Sequence, residues 1–427
     1  MVLYFGWLPL SVLVASTFIE WNIALKIESS QDRKKQWHWL LFSIVTNIAV
    51  LAFFKYSGFF LSAFTHSNAA SMHILMPVGL SFWTLQKMTL SLDVYFKKKP
   101  AEKSFFQALL FTSFFPTLLS GPIEYSRKVL PQFKVDRKWN PRFFSEGIWL
   151  FCLGAFLKAV IADNVAVTAE QFLNTPNSGI GILIGAWAYA LQLYGDFAGY
   201  SYMARGIARM IGIDITQNFL APYLMRNLSD FWKHWHISLS SWLNEYIFTQ
   251  ISFKLRNWGM AGMVLAIWAT FIVSGLWHGT GLTYFVYGCL HAIGITIFTL
   301  TKNQRKWAKN KWGKSGPWLD YVSIFITFHW VCFTYLFFRA PTLPYAVSQI
   351  ASAFSGSWNP LTLSVEWWVL GLSAFAIFWL QGQVMTFGSV FWIFNRTVWY
   401  RVAFYLVLGF LLLRCYAPSD RFIYFQF

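Results

Sequence analysis

Charge is what this sequence lacks most. Only 12% of its 427 residues are Asp, Glu, Lys or Arg, about half the share of a soluble domain, while 56% are hydrophobic and 21% aromatic. So much apolar surface cannot be hidden in water, which excludes a soluble enzyme. Disorder and fibrous repeats require polar or Gly/Pro-dominated compositions and are excluded with it. Cysteine is scarce too. Cys152, Cys289, Cys332 and Cys415 lie far apart in apolar surroundings with no CxxC, so they read as small buried hydrophobes rather than a disulfide framework or a metal knuckle. Acidic residues number 17 against 34 Lys and Arg, a net charge of +17. The positives occupy short loops between apolar blocks, as cytoplasmic loops do under the positive-inside rule, so no nucleic-acid partner is expected. HExxH, a GxSxG elbow and a P-loop are absent, and the GxGxxxG of Gly179–Gly185 has the wrong spacing for a dinucleotide fingerprint.

What is present is a mean hydropathy of +0.46, concentrated in about eleven apolar blocks: 3–25, 39–64, 74–96, 105–122, 143–162, 179–200, 259–276, 281–300, 318–338, 363–381 and 398–416. Blocks near twenty residues predict transmembrane helices, not the short alternating strands of an outer-membrane barrel. The expected fold is therefore all-α. It is a single polytopic membrane domain over 1–427, with re-entrant or broken helices around a central polar tunnel and the N-terminal block retained as a membrane segment. Basic loops at Arg33–Lys35, Lys97–Lys99, 127–142, 226–256 and 302–314 are assigned to the cytoplasm, which makes blocks 39–64 and 74–96 an out-and-back pair. Block 105–122 has basic loops on both sides and carries Pro116, Gly121 and Pro122. That combination predicts a re-entrant or broken helix, whose freed backbone groups need protein or water around them.

Ionisable groups inside apolar blocks cost about 3 kcal/mol each, and few occur: Glu20, Asp93, Lys158, Asp196, His278, His291 and His329. Each either pairs with a neighbour to lock helices together or lines a polar path. Gly195 with Gly199, and Gly275 with Gly279, form GxxxG pairs of the kind that let helices approach closely.

Two stretches stand out. Phe231–Tyr246, FWKHWHISLSSWLNEY, is basic and aromatic. Read as one helix, it aligns Trp235, Leu239 and Trp242 on a stripe and describes an interfacial helix with its tryptophans at headgroup level. That reading leaves His234 and His236 unexplained. Two apart on a helix, they diverge by about 200°, and with no Cys or carboxylate at ligand spacing they do not suggest a metal site. The second stretch, Ser274–Thr280, SGLWHGT, sets His278 beside Trp277 among small residues. Its histidine serves either as a helix-to-helix hydrogen bond or as a general base, since neutral imidazole is the usual base near pH 7.

The ordered series of motifs resembles the membrane-bound O-acyltransferase family in its bacterial branch. A Trp-His-Ile-Ser-Leu-Ser segment is followed by a Gly-Leu-Trp-His-Gly turn, with His278 42 residues after His236. Further matches are Phe53–Tyr56, Met76–Phe82, Asp93–Tyr95, Ser120–Ile123, Gly195–Ser201, Asn218-Phe219 with Pro222-Tyr223, Phe337–Ala340 and Phe425–Phe427. The match is nearest to the alginate O-acetylation type and next to the teichoic acid D-alanyl type. Departures are Tyr202 where an Asp is usual, Arg205 where an apolar residue is usual, and Asn244-Glu245-Tyr246 where Arg-Asp-Tyr is common.

The resemblance implies that His278 is the catalytic base and His236 a second catalytic histidine. Trp277, Asp196, Tyr200, Ser201, Trp235, Asn244 and Glu245 become candidates to line the substrate path, and Lys233, Lys254 and Arg256 a basic donor mouth. It implies no bound cofactor or metal. The donor would be a thioester, acetyl-CoA or an acyl carrier protein, arriving from the cytoplasm. The acceptor, an extracytoplasmic acyltransferase or a polysaccharide, would lie on the outer side of a bacterial inner membrane. On this topology the two histidines occupy opposite ends of one path. D-alanyl transfer to teichoic acid-like polymers is the alternative acyl reaction. A transporter or flippase with a His/Asp proton relay, or an envelope-assembly scaffold whose basic mouth only docks a partner, is the non-enzymatic one.

Overall fold

The computed structural model describes residues 7–65, 77–174, 179–312, 318–355, 365–417 and Ile423. Met76 and Phe425–Phe427 of the quoted motifs lie outside the described residues, as does the side chain of Tyr56. The described residues form helices, turns and connecting segments, with no strand. Seven helical stretches among them are long and apolar enough to cross a membrane: Trp7–Ser29, Arg33–Lys55, Pro141–Asn174, Arg256–His278, Leu282–Leu300, Trp318–Arg339 and Trp367–Phe387. Their outward residues are apolar, as Val45, Ile48, Leu265, Phe325 and Phe375 illustrate. That surface suits lipid and not water, so the chain is a multi-pass membrane protein. Of the about eleven expected segments, seven are spans by length and composition among the described residues. Block 74–96 is a 16-residue helix buried along nearly its whole length, and block 105–122 is broken.

The chain divides into two compact units, one from the described residues of Met1–Ile148 and Ala204–Thr216, the other from those of Trp149–Met203 and Gln217–Ile423. In the first, α1 (Trp7–Ser29), α2 (Arg33–Thr65) and α3 (Leu80–Tyr95) pack together. Two short helices, α4 (Phe105–Thr112) and α5 (Phe115–Leu118), form the broken helix expected over 105–122, and α6 (Ser126–Phe133) follows. The break is tolerated because polar side chains of α3 satisfy its freed backbone. Gln86 donates to the Phe111 carbonyl at 2.7 Å and accepts from Glu124 N–H at 3.3 Å, and Thr89 Oγ1 accepts from Ser126 N–H at 3.0 Å. Gly79, with φ 75°, lies where a Cβ would strike the Leu118 carbonyl, so the broken segment seats directly on it.

The buried carboxylates Glu20, Asp93 and Glu146 of this unit have hydrogen-bonding or cationic partners. Glu20 accepts from Ser43 Oγ at 2.9 Å and Asn47 Nδ2 at 2.7 Å. Asp93 meets Arg127 and Ser126. Glu146 is held by Arg142 and Arg209, and Arg209 and Arg205 both reach Asp214. The lock-helices reading therefore holds for Glu20 and Asp93, and Arg205 is an ion-pair residue.

In the second unit, α7 (Pro141–Ala155) contributes its last turns. It continues through a π-helical stretch, Phe156–Ala162, into α8 (Asp163–Asn174). Lys158 in that stretch bridges Asp163 and Asp196, each at 2.7 Å. Asp196 belongs to α9 (Gly179–Met210), whose Gly195 and Gly199 face the Leu157 and Gly154 carbonyls. The first GxxxG pair is thus a helix contact.

After α9 come α10 (Leu228–His234), α11 (Ile237–Leu243), a π turn over Asn244–Phe248 and α12 (Thr249–Lys254). Next, α13 (Gly259–His278) and α14 (Leu282–Leu300) form a tight hairpin in which Gly275 contacts the Tyr284 carbonyl and Gly288. Helices α15 (Lys302–Trp312), α16 (Trp318–Arg339), α17 (Leu343–Ser355), α18 (Val365–Phe387) and α19 (Val398–Arg414) complete the unit.

Candidate active site

The site forms where the tryptophan segment breaks. Helix α10 stops at His234, Trp235 is extended, and His236 takes a left-handed conformation, φ 44° and ψ 52°, before α11 begins. Left-handed backbone costs a non-glycine residue about 1–2 kcal/mol. The chain ahead of the segment compensates by entering the gap: Leu220 N–H donates to the His234 carbonyl at 3.0 Å and Ile237 N–H to the Asn218 carbonyl at 2.9 Å. The sequence-based picture of one interfacial helix is therefore corrected. Its stripe residues Trp235, Leu239 and Trp242 are buried, and Trp235 stacks on Phe231 and Tyr223 in an aromatic core. The mixture expected at headgroup level lies further on, where Phe253 and Trp258 are exposed beside Lys254 and Arg256. A periodic apolar stripe suits a membrane surface and a protein core equally, and periodicity alone did not distinguish them.

The break turns His236 inward. Its Nδ1 lies 3.2 Å from Asn218 Oδ1, which also accepts from Ser238 N–H at 3.1 Å and Ser238 Oγ at 2.9 Å. Asn218 Nδ2 donates to Ser201 Oγ at 3.2 Å. A partner that only accepts places the proton on Nδ1 and makes Nε2 the basic nitrogen. Burial pushes the His236 pKa down to about 3, so the ring is neutral near pH 7.

The Trp277 ring centroid is 6.1 Å from His236 and 4.9 Å from His278. His278 is buried, with Phe338 at 5.2 Å and Tyr287 at 6.0 Å. The two histidines thus converge on one indole and do not occupy opposite ends of a path. The topology argument placed the whole 226–256 loop at the surface, whereas the unwound turn carries His236 into the interior.

His291 offers a contrast. Its Nδ1 accepts from the Trp232 indole at 3.2 Å, and its Nε2 lies 3.1 Å from Thr334 Oγ1. Because Thr334 donates to the Val331 carbonyl, Nε2–H must donate to Thr334. Both ring nitrogens are engaged, which is the pattern of a structural histidine. His329 accepts from the Trp187 indole at 3.1 Å, and Nδ1 of His234 lies 2.8 Å from the Asp230 carbonyl.

A cavity of about 400 Å³ reaches Ser274, one helical turn before His278, although neither site histidine is among its lining residues. One wall is a stripe of α13, Met263, Ile267, Thr270 and Ser274, and Lys233 and Asn244 are among the other lining residues. A further helical turn along that stripe leads to His278. The remaining candidates are more dispersed. Trp235 packs in the aromatic core, Ser201 joins the Asn218 network, and Asp196 is tied to Lys158 and accepts from Ile423 N–H. Tyr200 and Glu245 are half-buried, and Lys254 and Arg256 are not among the cavity-lining residues. Among the described residues no group of three or more His, Cys, Asp or Glu is arranged to hold a metal. Sequence reasoning assigned no role to Asn218 or Ser274. The available signals were an amide in an otherwise apolar stretch, NFLAPY, and a hydroxyl one helical turn before His278.

Residues 2–338 match the membrane-bound O-acyltransferase family. The chain belongs to that family. Among its relatives, a peptidoglycan O-acetyltransferase of Helicobacter pylori is 32% identical, over 80% of this chain and 69% of the relative. A probable alginate O-acetylase of Pseudomonas putida is also 32% identical, over 79% and 70%. A teichoic acid D-alanyltransferase of Bacillus subtilis is 29% identical, over 61% and 68%. The protein is accordingly an acyltransferase, and His236 and His278 of its two histidine motifs are the residues the fold brings against Trp277.

Proposed function

We propose that this acyltransferase takes an acetyl group from a cytoplasmic thioester, coenzyme A or an acyl carrier protein, and passes it across a bacterial inner membrane for O-acylation of an envelope or exported polysaccharide. The observation that carries the reading is the meeting of two buried imidazoles at one indole beside a cavity whose lining includes a lysine. His278 takes the proton of the acceptor hydroxyl as its oxygen attacks the thioester carbonyl carbon. The C–S bond then breaks, and the thiolate leaving group recovers the proton from the imidazolium. His236, fixed by Asn218, supplies a second basic nitrogen to the same centre. The cation of Lys233 favours an anionic donor. Tight aromatic walls of Trp277, Tyr287 and Phe338 suit a small acyl group and exclude the water that would hydrolyse the thioester.

Acetyl is preferred to D-alanyl because the O-acetylating relatives match at higher identity and over more of this chain. An extracytoplasmic acyltransferase fits as the immediate acceptor or as a later carrier to the polymer. Mass spectrometry of base-released acids from envelope polysaccharide, with and without the gene, tests the reading. Ester-linked acetate should disappear with the gene. An unchanged ester profile would reject envelope acylation, and loss of D-alanine instead would establish the alternative.

A further inference from the structure

Hydroxyls in apolar helices ordinarily donate to the carbonyl one turn back, and Thr270 and Thr299 of the cavity lining do so. Thr270 Oγ1 donates to the Ala266 carbonyl and Thr299 Oγ1 to the Ile295 carbonyl, at 2.7 and 2.8 Å, and Ser240 Oγ donates to the Trp235 carbonyl at 3.1 Å. Ser274 departs from the pattern. It is 1% exposed, its Oγ has no hydrogen-bond partner among the described residues, and it lines the cavity. A buried hydroxyl without a partner is costly, and Ser274 lines the cavity while its Oγ is itself covered, so a ligand atom that reaches it gives the hydroxyl its missing partner. Ser274 precedes His278 by one turn on α13, so the two side chains share a face about 5–6 Å apart at Cβ.

We propose that Ser274 donates its hydroxyl hydrogen to the acyl carbonyl oxygen of the thioester donor. The carbonyl carbon is thereby placed between Ser274 and His278, and the oxyanion that forms when the acceptor oxygen attacks is stabilised. Ser274 forms no covalent bond and changes no protonation state. It is an oxyanion-directed hydrogen-bond donor of the kind whose loss lowers turnover more than binding. The inference rests on the assignment of His278 above and deepens it.

The test uses full-length Ser274→Ala, Ser274→Thr and His278→Ala in cells lacking the native gene, with ester-linked acyl groups on envelope polysaccharide measured per membrane-inserted protein. The purified ligand-free proteins are also melted in detergent. Ser274→Ala should lower the initial rate of ester formation about 100-fold, and Ser274→Thr should retain most of it. The ligand-free melting temperature of Ser274→Ala should equal or exceed that of the parent, because the substituted hydroxyl has no protein partner to lose. A Ser274→Ala rate within twofold of the parent beside an inactive His278→Ala would overturn this inference alone. So would a melting temperature lowered by several degrees with the rate preserved. An active His278→Ala would overturn the site on which the inference rests.

Discussion

The buried carboxylates of the first unit and the site histidines of the second are treated differently. In the first, every anion singled out has a hydrogen-bonding or cationic neighbour: Glu20 has Ser43 and Asn47, Asp93 has Arg127, and Glu146 has Arg142 and Arg209. In the second, His236 and His278 are walled by aromatic rings and meet at Trp277. Other buried groups there resemble the first unit: Lys158 bridges Asp163 and Asp196, and Trp232 and Thr334 engage the two nitrogens of His291. A buried group whose bonding capacity is filled by the fold serves architecture. A buried imidazole walled by aromatic rings and held by Asn218, as His236 is, is arranged for chemistry. Substitutions in the two classes should accordingly separate activity from stability.

The largest separation is expected at His278. His278→Ala should reduce acyl transfer about 1,000-fold or more, within the range of a lost general base combined with lost positioning, while insertion and melting temperature stay near those of the parent. Rate per folded molecule, read with fluorescence-detected chromatography, checks both halves. Next comes Asn218→Ala. It frees the His236 tautomer and strips Ser238 of its acceptor, so a rate loss of about 100-fold should accompany a stability loss of about 1–3 kcal/mol. The same pair of measurements applied to Arg127→Ala should give the opposite result. Uncovering Asp93 costs about 3–5 kcal/mol of stability, but transfer per surviving molecule should be unchanged.

Smaller effects refine the comparison. Because burial holds the His236 pKa near 3, against about 6.5 in an unfolded chain, the unfolded state binds the proton first. Its contribution to stability is full above pH 6.5 and is lost progressively as pH falls toward 3. His236→Gln should remove that part of the acid destabilisation seen in melting temperatures between pH 7 and 4. At the cavity rim, Lys233→Glu should raise the apparent donor KM several-fold with little change in kcat, as loss of uniform binding does, and the effect should fade in high salt. Arg256→Glu should do less, because Arg256 is turned to the Phe253 ring and carbonyl and does not line the cavity.

Much of the fold was legible in the residues. Block length and composition indicate membrane helices, the Pro116–Gly121–Pro122 cluster indicates the break that α4 and α5 display, and Gly195 with Gly199 indicates a close helix contact. His278 stood out as an expensive polar group in an apolar block, and His236 as a histidine that the interfacial-helix reading left unexplained. The turn at Trp235-His236 was not legible, since a left-handed histidine carries no local signal and the stripe Trp235–Leu239–Trp242 continues the helical period across it. What stabilises that turn is backbone bonding from Asn218 to Leu220, an interaction with a segment that precedes it by more than a dozen residues. The convergence on Trp277 depends on the turn, and so it too was hidden.

That convergence is most directly tested by accessibility. Single cysteines are placed at His236 and at Lys254 in a chain whose four native cysteines are replaced, and a bulky impermeant maleimide is offered to both faces of the membrane. The buried, inward-turned His236 of this account predicts that the position-254 cysteine is labelled readily while the position-236 cysteine resists from either side until the protein is denatured. Labelling of the two positions at equal rates in the folded protein would contradict it, and would return His236 to the surface of a continuous interfacial helix.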